Sequence, residues 1–144
     1  TRKLGNSEHI LDFSGKTNLY ESMHLILNSR FVIASDGAIS HISASLGKDL
    51  ICFFGPVNYM DVCPINTKGY IISKILECSP CYETENYYSC PFDRSCSNID
   101  ETHIIIDCIK EILAGDKLLN KNKFGYSFNV IPTADQLKSN LPPI

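Results

Sequence analysis

In the first half of the chain, short continuous apolar segments alternate with segments whose apolar residues recur at helical spacing. Continuous apolar runs occupy 31–34 and 50–54, which is the length of a buried strand. Apolar residues recur at helical spacing over 18–28, and again from Ile39 to Leu46. Strands that lack polar alternation and are separated by helices predict a parallel sheet with helices on both faces.

Local signals place the ends of these elements. Residues 10–13 predict a further short strand, which gives a β-α-β-α-β order with right-handed crossovers. Asn18 and Glu21 have the spacing of a capping box at the start of the first helix. Gly47 is expected to end the second helix.

The second half of the chain is predicted to add fewer regular elements. A strand is expected over 70–73 and a helix over 102–113. Between them lies a loop over 78–99 that holds four cysteines. Thr133 and Gln136 predict the start of a short final helix.

The length and composition fit one domain of ordinary size. The chain has 144 residues, of which 44% are hydrophobic, so a core can form without covalent staples. We expect a domain over 1–114, into which the cysteine loop over 78–99 is inserted. A C-terminal extension over 115–144 is expected to follow it.

Charge and hydropathy exclude two classes of partner. The chain carries 13 basic and 16 acidic residues, a net charge of −3, and it has no basic stripe of the kind that binds nucleic acid. No apolar run approaches the about 18 residues of a transmembrane helix. The first residues have no apolar segment typical of a signal peptide, and Thr1 stands where an initiator Met would, so we expect a piece of a longer protein.

A strand-to-helix junction at Asp36 is the first candidate site. It lies at the carboxyl edge of the predicted sheet, where ligands of open α/β sheets bind. The backbone N–H groups at the start of the following helix suit a phosphate, and Gly37 allows close approach. His41 is expected one turn further on, as a donor to the same group. The alternative interpretation is that Asp36 only caps the helix and that His41 is an ordinary surface histidine.

The cysteine loop is the second candidate site. Four of the seven cysteines follow the pattern C-x2-C-x8-C-x5-C, namely Cys78, Cys81, Cys90 and Cys96. Four thiolates at such spacing can complete a closed tetrahedral site for zinc, and iron suits the same ligands. Disulfides and free thiols remain the alternatives. A closed site of this kind would be structural, because it leaves no open position for chemistry.

Several short motifs occur in an order that resembles a known family. They are Gly15-Lys16-Thr17-Asn18-Leu19, Asp36-Gly37-Ala38-Ile39-Ser40-His41, Ala44-Ser45-Leu46-Gly47, Phe54-Gly55-Pro56 and Cys78-Ser79-Pro80-Cys81. This series resembles the C-terminal domain of glycosyltransferase family 9, the ADP-heptose:lipopolysaccharide heptosyltransferase family, roughly over residues 10–113. The sequence departs from the family at two positions: Gly37 replaces a Ser or Thr, and Ala38 replaces a Gly.

The resemblance implies a fold and a set of binding residues. It implies the C-terminal half of a GT-B glycosyltransferase, a Rossmann-like domain that holds an ADP-sugar. The backbone of Gly37, Ala38 and Ile39, with the His41 side chain, would contact the diphosphate. Asp36 would orient the turn or contact the sugar. The turn of Gly15, Lys16 and Thr17 would lie near the nucleotide base, although an ordinary solvated turn is the alternative for Lys16.

The resemblance also implies a reaction and its partners. Inverting transfer of heptose to a lipopolysaccharide-type saccharide is expected, with the acceptor and the general base held by an N-terminal domain that these residues do not include. No catalytic residue is therefore assigned, and a cytoplasmic location, peripheral at a bacterial inner membrane, is implied. Relatives that modify autotransporter adhesins have a cysteine-bound iron finger, so a protein acceptor is an alternative. A non-catalytic assembly module built around the cysteines is another.

Overall fold

The computed structural model of the chain describes residues 9–123 and 125–138, and it contains one mixed sheet with helices packed against it. Residues 139–144 of the predicted extension lie outside the described part. The helices are α1 (Leu19–Asn28), α2 (Ala38–Ser45), α3 (Tyr59–Val62), α4 (Glu85–Tyr88), α5 (Thr102–Ala114) and α6 (Ala134–Lys138), with a 3₁₀ turn at Ser95–Ser97. The strands are β1 (Val32–Ser35), β2 (Leu50–Phe54), β3 (Gly69–Lys74), β4 (Lys121–Lys123) and β5 (Tyr126–Val130).

The strand order is β1-β2-β3-β5-β4. The first three strands are parallel, with Ile33 opposite Ile51 and Ile51 opposite Tyr70. Strand β5 then runs antiparallel to β3, and β4 runs antiparallel to β5. The prediction of an α/β fold with a parallel sheet is therefore confirmed for β1 to β3, while the sheet as a whole is mixed.

The two faces of the sheet bury two separate hydrophobic clusters. On one face, Ile51 and Ile72 pack with α5, whose Ile104, Cys108 and Ile112 are buried. The opposite cluster includes Leu50, Cys52 and Phe54 of β2, together with Ile71 of β3 and Cys63. Helix α2 packs on β1 and β2, and its buried Ser40 is within hydrogen-bond reach of Cys52. Helical cover on both faces is thus confirmed.

The local signals at the helix ends are also confirmed. The Asn18 side chain accepts a hydrogen bond from the Glu21 backbone at 3.0 Å, and the Glu21 carboxylate accepts one from the Asn18 backbone at 2.8 Å. Gly47 follows the end of α2 in the left-handed conformation, with φ of 67°, and Gly115 does the same at the end of α5, with φ of 81°. The Thr133 backbone donates to the Gln136 side chain at 2.7 Å, at the start of α6.

Two predictions about strands were wrong or incomplete. Residues 10–13 form no strand, and Leu11 is 75% exposed, because no strand of the described residues lies beside them to pair with. Conversely, the described part of the segment predicted as an extension, 115–144, contributes β4 and β5 to the sheet. No helix within 9–123 or 125–138 is long and apolar enough to cross a membrane.

Candidate functional site

The junction between β1 and α2 lies at the carboxyl edge of the parallel strands. The Asp36 backbone N–H donates to the Phe53 carbonyl at 2.9 Å, which continues the pairing of β1 with β2 to the last turn before the helix. The residue that caps α2 is Gly37, and no side chain makes a capping hydrogen bond there. The interpretation of Asp36 as a helix cap is therefore wrong. Its carboxylate accepts no hydrogen bond from any side chain or backbone group of the described residues, which leaves it available to a ligand.

Gly37 has a conformation that other residues adopt only with strain. Its φ is 143°, and open space surrounds the position where a Cβ would stand. A hydroxyl-bearing residue at this position would therefore strain this turn, although it would not clash. The glycine instead leaves the start of α2 open to a ligand on this side.

One cavity lies on the helix side of Asp36. This helix-side cavity has a volume of about 390 Å³ and is lined entirely by consecutive residues from Ile33 to Ile39. It contains the first residues of α2, whose backbone N–H groups have no intrahelical acceptor. The partial positive charge at a helix start favours an anion such as a diphosphate.

A second cavity lies between the ends of β1 and β2 and the cysteine loop. This loop-side cavity has a volume of about 320 Å³. Its lining consists of Ser35, Asp36, Phe53, Phe54, Gly55, Pro56, Val57, Tyr82, Tyr87, Cys96, Ser97 and Ile99. Ser35 and Asp36 line both cavities, so both spaces lie beside the end of β1.

The cysteine loop is fixed to the end of β2 by backbone hydrogen bonds. The Pro56 carbonyl accepts from the Cys81 backbone at 2.8 Å and from the Tyr82 backbone at 3.0 Å. The Ser79 hydroxyl donates to the Gly55 carbonyl at 2.9 Å. A Cβ added to Gly55 would lie 2.9 Å from the Ser97 hydroxyl, so the loop approaches this turn closely. These contacts place the loop beside the carboxyl edge of the sheet.

Three of the predicted metal ligands, Cys81, Cys90 and Cys96, line one small cavity of about 160 Å³. Burial raises the pKa of the Cys81 thiol, and the nearby Cys96, Cys78 and Cys90 raise it further. The other three thiols of the loop therefore lie within electrostatic reach of Cys81. Within the described ranges, however, no three His, Cys, Asp or Glu side chains are grouped closely enough to hold a metal ion, so a metal bound by these cysteines would have to draw the thiols closer together. Nor do the seven cysteines form disulfides there.

The remaining cysteines behave as small hydrophobic residues. Cys52 and Cys108 are fully buried, and burial raises the pKa of each thiol to about 11. Both are therefore protonated at neutral pH and poor nucleophiles. This agrees with their positions in an apolar strand and on the buried face of a helix.

The other residues predicted to bind the nucleotide-sugar, His41 and those of the turn at 15–17, line neither cavity. His41 is exposed on α2 and lines neither cavity. The turn around Gly15 is stabilised within itself: the Lys16 ammonium donates to the Asp12 carbonyl at 2.9 Å, and the Thr17 and Ser22 hydroxyls lie 2.9 Å apart. These contacts are those of an ordinary solvated turn, and contact of Lys16 or His41 with a nucleotide stays a prediction.

The sequence reasoning did not assign Tyr82 and Tyr87 to the site. Their ring centroids are 4.8 Å apart with an interplanar angle of 64°, and both line the loop-side cavity. The only sequence signal was the density of aromatic residues within the cysteine loop. Nothing in that signal indicates that the loop lies beside Asp36.

The fold is that of an α/β protein with two cavities at the carboxyl ends of its parallel strands, where ligands of open α/β sheets bind. The family model for glycosyltransferase family 9 (heptosyltransferase) matches residues 2–91. Because this match covers more than half of the chain, the chain belongs to glycosyltransferase family 9. The junction at Asp36 and the first three cysteines of the loop, Cys78, Cys81 and Cys90, lie within the matched part.

Two curated proteins are similar over part of the chain. A lipooligosaccharide heptosyltransferase 2 of Haemophilus influenzae is 35% identical over 68 residues, which are 47% of this chain and 20% of that protein. A lipooligosaccharide heptosyltransferase 2 of Haemophilus ducreyi is 29% identical over 79 residues, which are 51% of this chain and 23% of that protein. The matched part thus spans about a fifth of each relative. No solved structure matches the chain at a comparable level.

Proposed function

We propose that this chain forms the nucleotide-sugar-binding part of an inverting glycosyltransferase that transfers heptose from ADP-heptose to a lipopolysaccharide-type saccharide. The observation that carries the proposal is the pair of cavities that Asp36 lines, at the carboxyl edge of the parallel strands in a family 9 chain. The names of the two relatives favour a lipooligosaccharide acceptor. The acceptor-binding domain belongs, in this proposal, to a part of the enzyme outside these residues.

The diphosphate of the donor would bind at the start of α2. The backbone N–H groups of Gly37, Ala38 and Ile39 stand at the open end of the helix, in the wall of the helix-side cavity. No basic side chain of the described residues lines that cavity, so backbone dipoles supply its positive potential. His41 would add a side-chain donor only if its imidazole turns toward the phosphates from its exposed position.

The same groups would stabilise charge during the transfer. An acceptor hydroxyl attacks the anomeric carbon of the donor, the bond from that carbon to the diphosphate oxygen breaks, and its electron pair stays on the diphosphate. The hydroxyl proton goes to a general base, which we expect in the acceptor-binding domain. N–H groups that point at the departing diphosphate become more strongly bonded as its charge grows, which lowers the barrier.

The cysteine loop is proposed to bind zinc or iron as a structural ion. Its thiols suit either metal by their chemistry, and three of them face one cavity. Cys78, Cys81, Cys90 and Cys96 would hold the ion, which would replace a hydrophobic core for this loop. Metal analysis of the purified chain tests this directly. We expect about one equivalent of metal, and a Cys90→Ser variant should lose it while a Cys108→Ser variant, at a fully buried position in α5, retains it.

A protein acceptor of the autotransporter type remains the alternative substrate, with the same donor. A non-catalytic assembly module is the alternative from a different functional class. The exposed apolar side chains on α1, with Tyr20 81% and Leu19 59% exposed, favour a protein contact on that helix. Such a contact is compatible with donor binding, because α1 contributes no residue to either cavity.

The donor proposal is tested by calorimetric titration of the chain with ADP and with UDP. Selective binding of ADP supports it. Equal binding of both nucleotides would indicate a phosphate site without base recognition, and no binding of either would contradict the proposal for this chain. We expect no sugar transfer by the chain alone, because the general base lies elsewhere. Robust turnover would show that this expectation is wrong.

A further inference from the structure

The loop-side cavity is suited to a neutral, hydroxyl-rich ring rather than to a phosphate. Among the described residues that line it, none is basic and one, Asp36, is acidic. A diphosphate placed there would face the Asp36 carboxylate without the backbone N–H groups of a helix start, because those groups line only the helix-side cavity. A carboxylate accepts hydrogen bonds readily from the hydroxyl groups of a sugar. The chemistry of the lining therefore separates this cavity from the helix-side cavity.

The aromatic part of the wall completes the features of a sugar site. Tyr82 and Tyr87 line the same cavity, and Tyr82 is 51% exposed. The negatively charged face of an aromatic ring attracts the C–H bonds on the apolar face of a pyranose. A volume of about 320 Å³ lies at the lower end of the range for ligand pockets, which favours one ring over a whole nucleotide.

We propose that the loop-side cavity holds the sugar ring of the nucleotide-sugar donor, with Tyr82 and Tyr87 as specificity-determining residues that stack on it. This inference rests on the proposed function, because it takes the diphosphate to lie in the helix-side cavity. Asp36 lines both spaces, so the bond between sugar and diphosphate lies beside it. The cysteine loop then selects the donor sugar, in addition to any structural role.

The position of the two rings depends on the anchoring of the loop. The Tyr82 backbone donates to the Pro56 carbonyl at 3.0 Å, at the end of β2. Tyr87 lines both the loop-side cavity and the small cavity lined by Cys81 and Cys90. The proposed sugar site and the cysteines therefore share this residue as a wall. A change at the thiols would therefore move Tyr87, and with it the affinity for the sugar.

The test compares ADP-heptose with ADP, by calorimetry on the full 144-residue chain. We expect Tyr82→Ala and Tyr87→Ala each to weaken ADP-heptose binding by about three- to tenfold, with unchanged ADP binding. Tyr82→Phe and Tyr87→Phe keep the ring and should retain the affinity. Phe92→Ala is the matched control, because Phe92 is an exposed aromatic residue of the same loop that lines neither cavity.

A measurement on the unmodified chain guards against variants that fail to fold. In its NMR spectrum, ADP-heptose should shift the ring protons of Tyr82 and Tyr87, whereas ADP alone should leave them in place. If ADP binds but neither the variants nor the ring protons distinguish the two ligands, the inference is wrong and the proposed function stands. If neither ligand binds, both are overturned together.

Discussion

Replacing Asp36 by Asn separates a ligand-binding role from a role in folding. The substitution removes the charge and keeps the shape of the side chain. Gly37, not Asp36, is the cap of α2, and the Asp36 backbone hydrogen bond to Phe53 does not depend on its side chain. We therefore expect folding to be nearly unaffected and donor binding to be weakened.

The two interpretations of Asp36 predict changes of different size in the free energy of unfolding and in the affinity for ADP-heptose. Loss of a capping side chain costs about 1 kcal/mol, which for a protein of this size lowers Tm by about 4 °C. Without a capping bond we expect a change in the free energy of unfolding below about 0.5 kcal/mol, as for other substitutions that remove no structural contact. A hydrogen bond from a sugar hydroxyl to a carboxylate is worth about 1.5–3 kcal/mol, so ADP-heptose affinity should fall roughly ten- to hundredfold.

Urea denaturation and calorimetric titration measure the two effects on the same preparation. Asp49→Asn is the matched control, because Asp49 is also half-buried but precedes β2, at the opposite end of the parallel strands. ADP affinity should be the same in both variants. A clear loss of stability in Asp36→Asn, with unchanged discrimination between ADP-heptose and ADP, would refute this reasoning.

Two further predictions concern the pairing of the strands and the ion pair of Glu111 that supports the sheet. A Cβ on Gly69 would clash with the Leu50 carbonyl, so Gly69→Ala should prevent close pairing of β2 with β3 and abolish cooperative urea unfolding. Gly115→Ala is the control: open space surrounds that position, so it should lower the free energy of unfolding by only about 1 kcal/mol. Burial alone would raise the pKa of Glu111, but hydrogen bonds from Lys121 and Tyr70 outweigh burial and lower it below 4.5. The Glu111 carboxylate therefore stabilises the fold above its unfolded pKa, and this stabilisation is lost as the pH falls through the folded pKa. Glu111→Gln should be less stable than the wild type at pH 7, by up to about 1 kcal/mol, and this difference should shrink below pH 4.5. A difference independent of pH would contradict the assigned role of the carboxylate.

The elements that sequence patterns predicted well are those fixed by neighbours in the chain. Helix α1 has its capping box within four residues, and α5 has its apolar stripe and a terminal glycine. The buried strands β1 and β2 were recognised because an apolar run that is covered on both faces needs no alternation.

The elements that sequence patterns missed depend on partners far along the chain. Strand β5 forms by antiparallel pairing with β3, and β4 is a short polar segment that pairs only with β5. Residues 10–13 have the composition of a strand, but the described residues place no partner beside them. Pairing is a tertiary property, so local propensity could not decide either case.

One part of the candidate site could be predicted from the sequence, and the other part could not. The junction at Asp36 and Gly37 follows directly from a strand that runs into a helix. The loop-side cavity exists because Tyr82 is anchored to Pro56, and only the folded chain brings that loop to the end of β1. The geometry also corrected the capping role of Asp36, which the sequence pattern had left open.

The most direct test of the central claim is to locate bound nucleotide on the chain. With a mass of 16.1 kDa, the protein is small enough for amide NMR during a titration with ADP. The account predicts the largest shifts at the amides of Gly37, Ala38 and Ile39, at the start of α2, with smaller changes at Asp36. Saturable binding with shifts confined to other parts of the chain, or no shift at the start of α2, would contradict it.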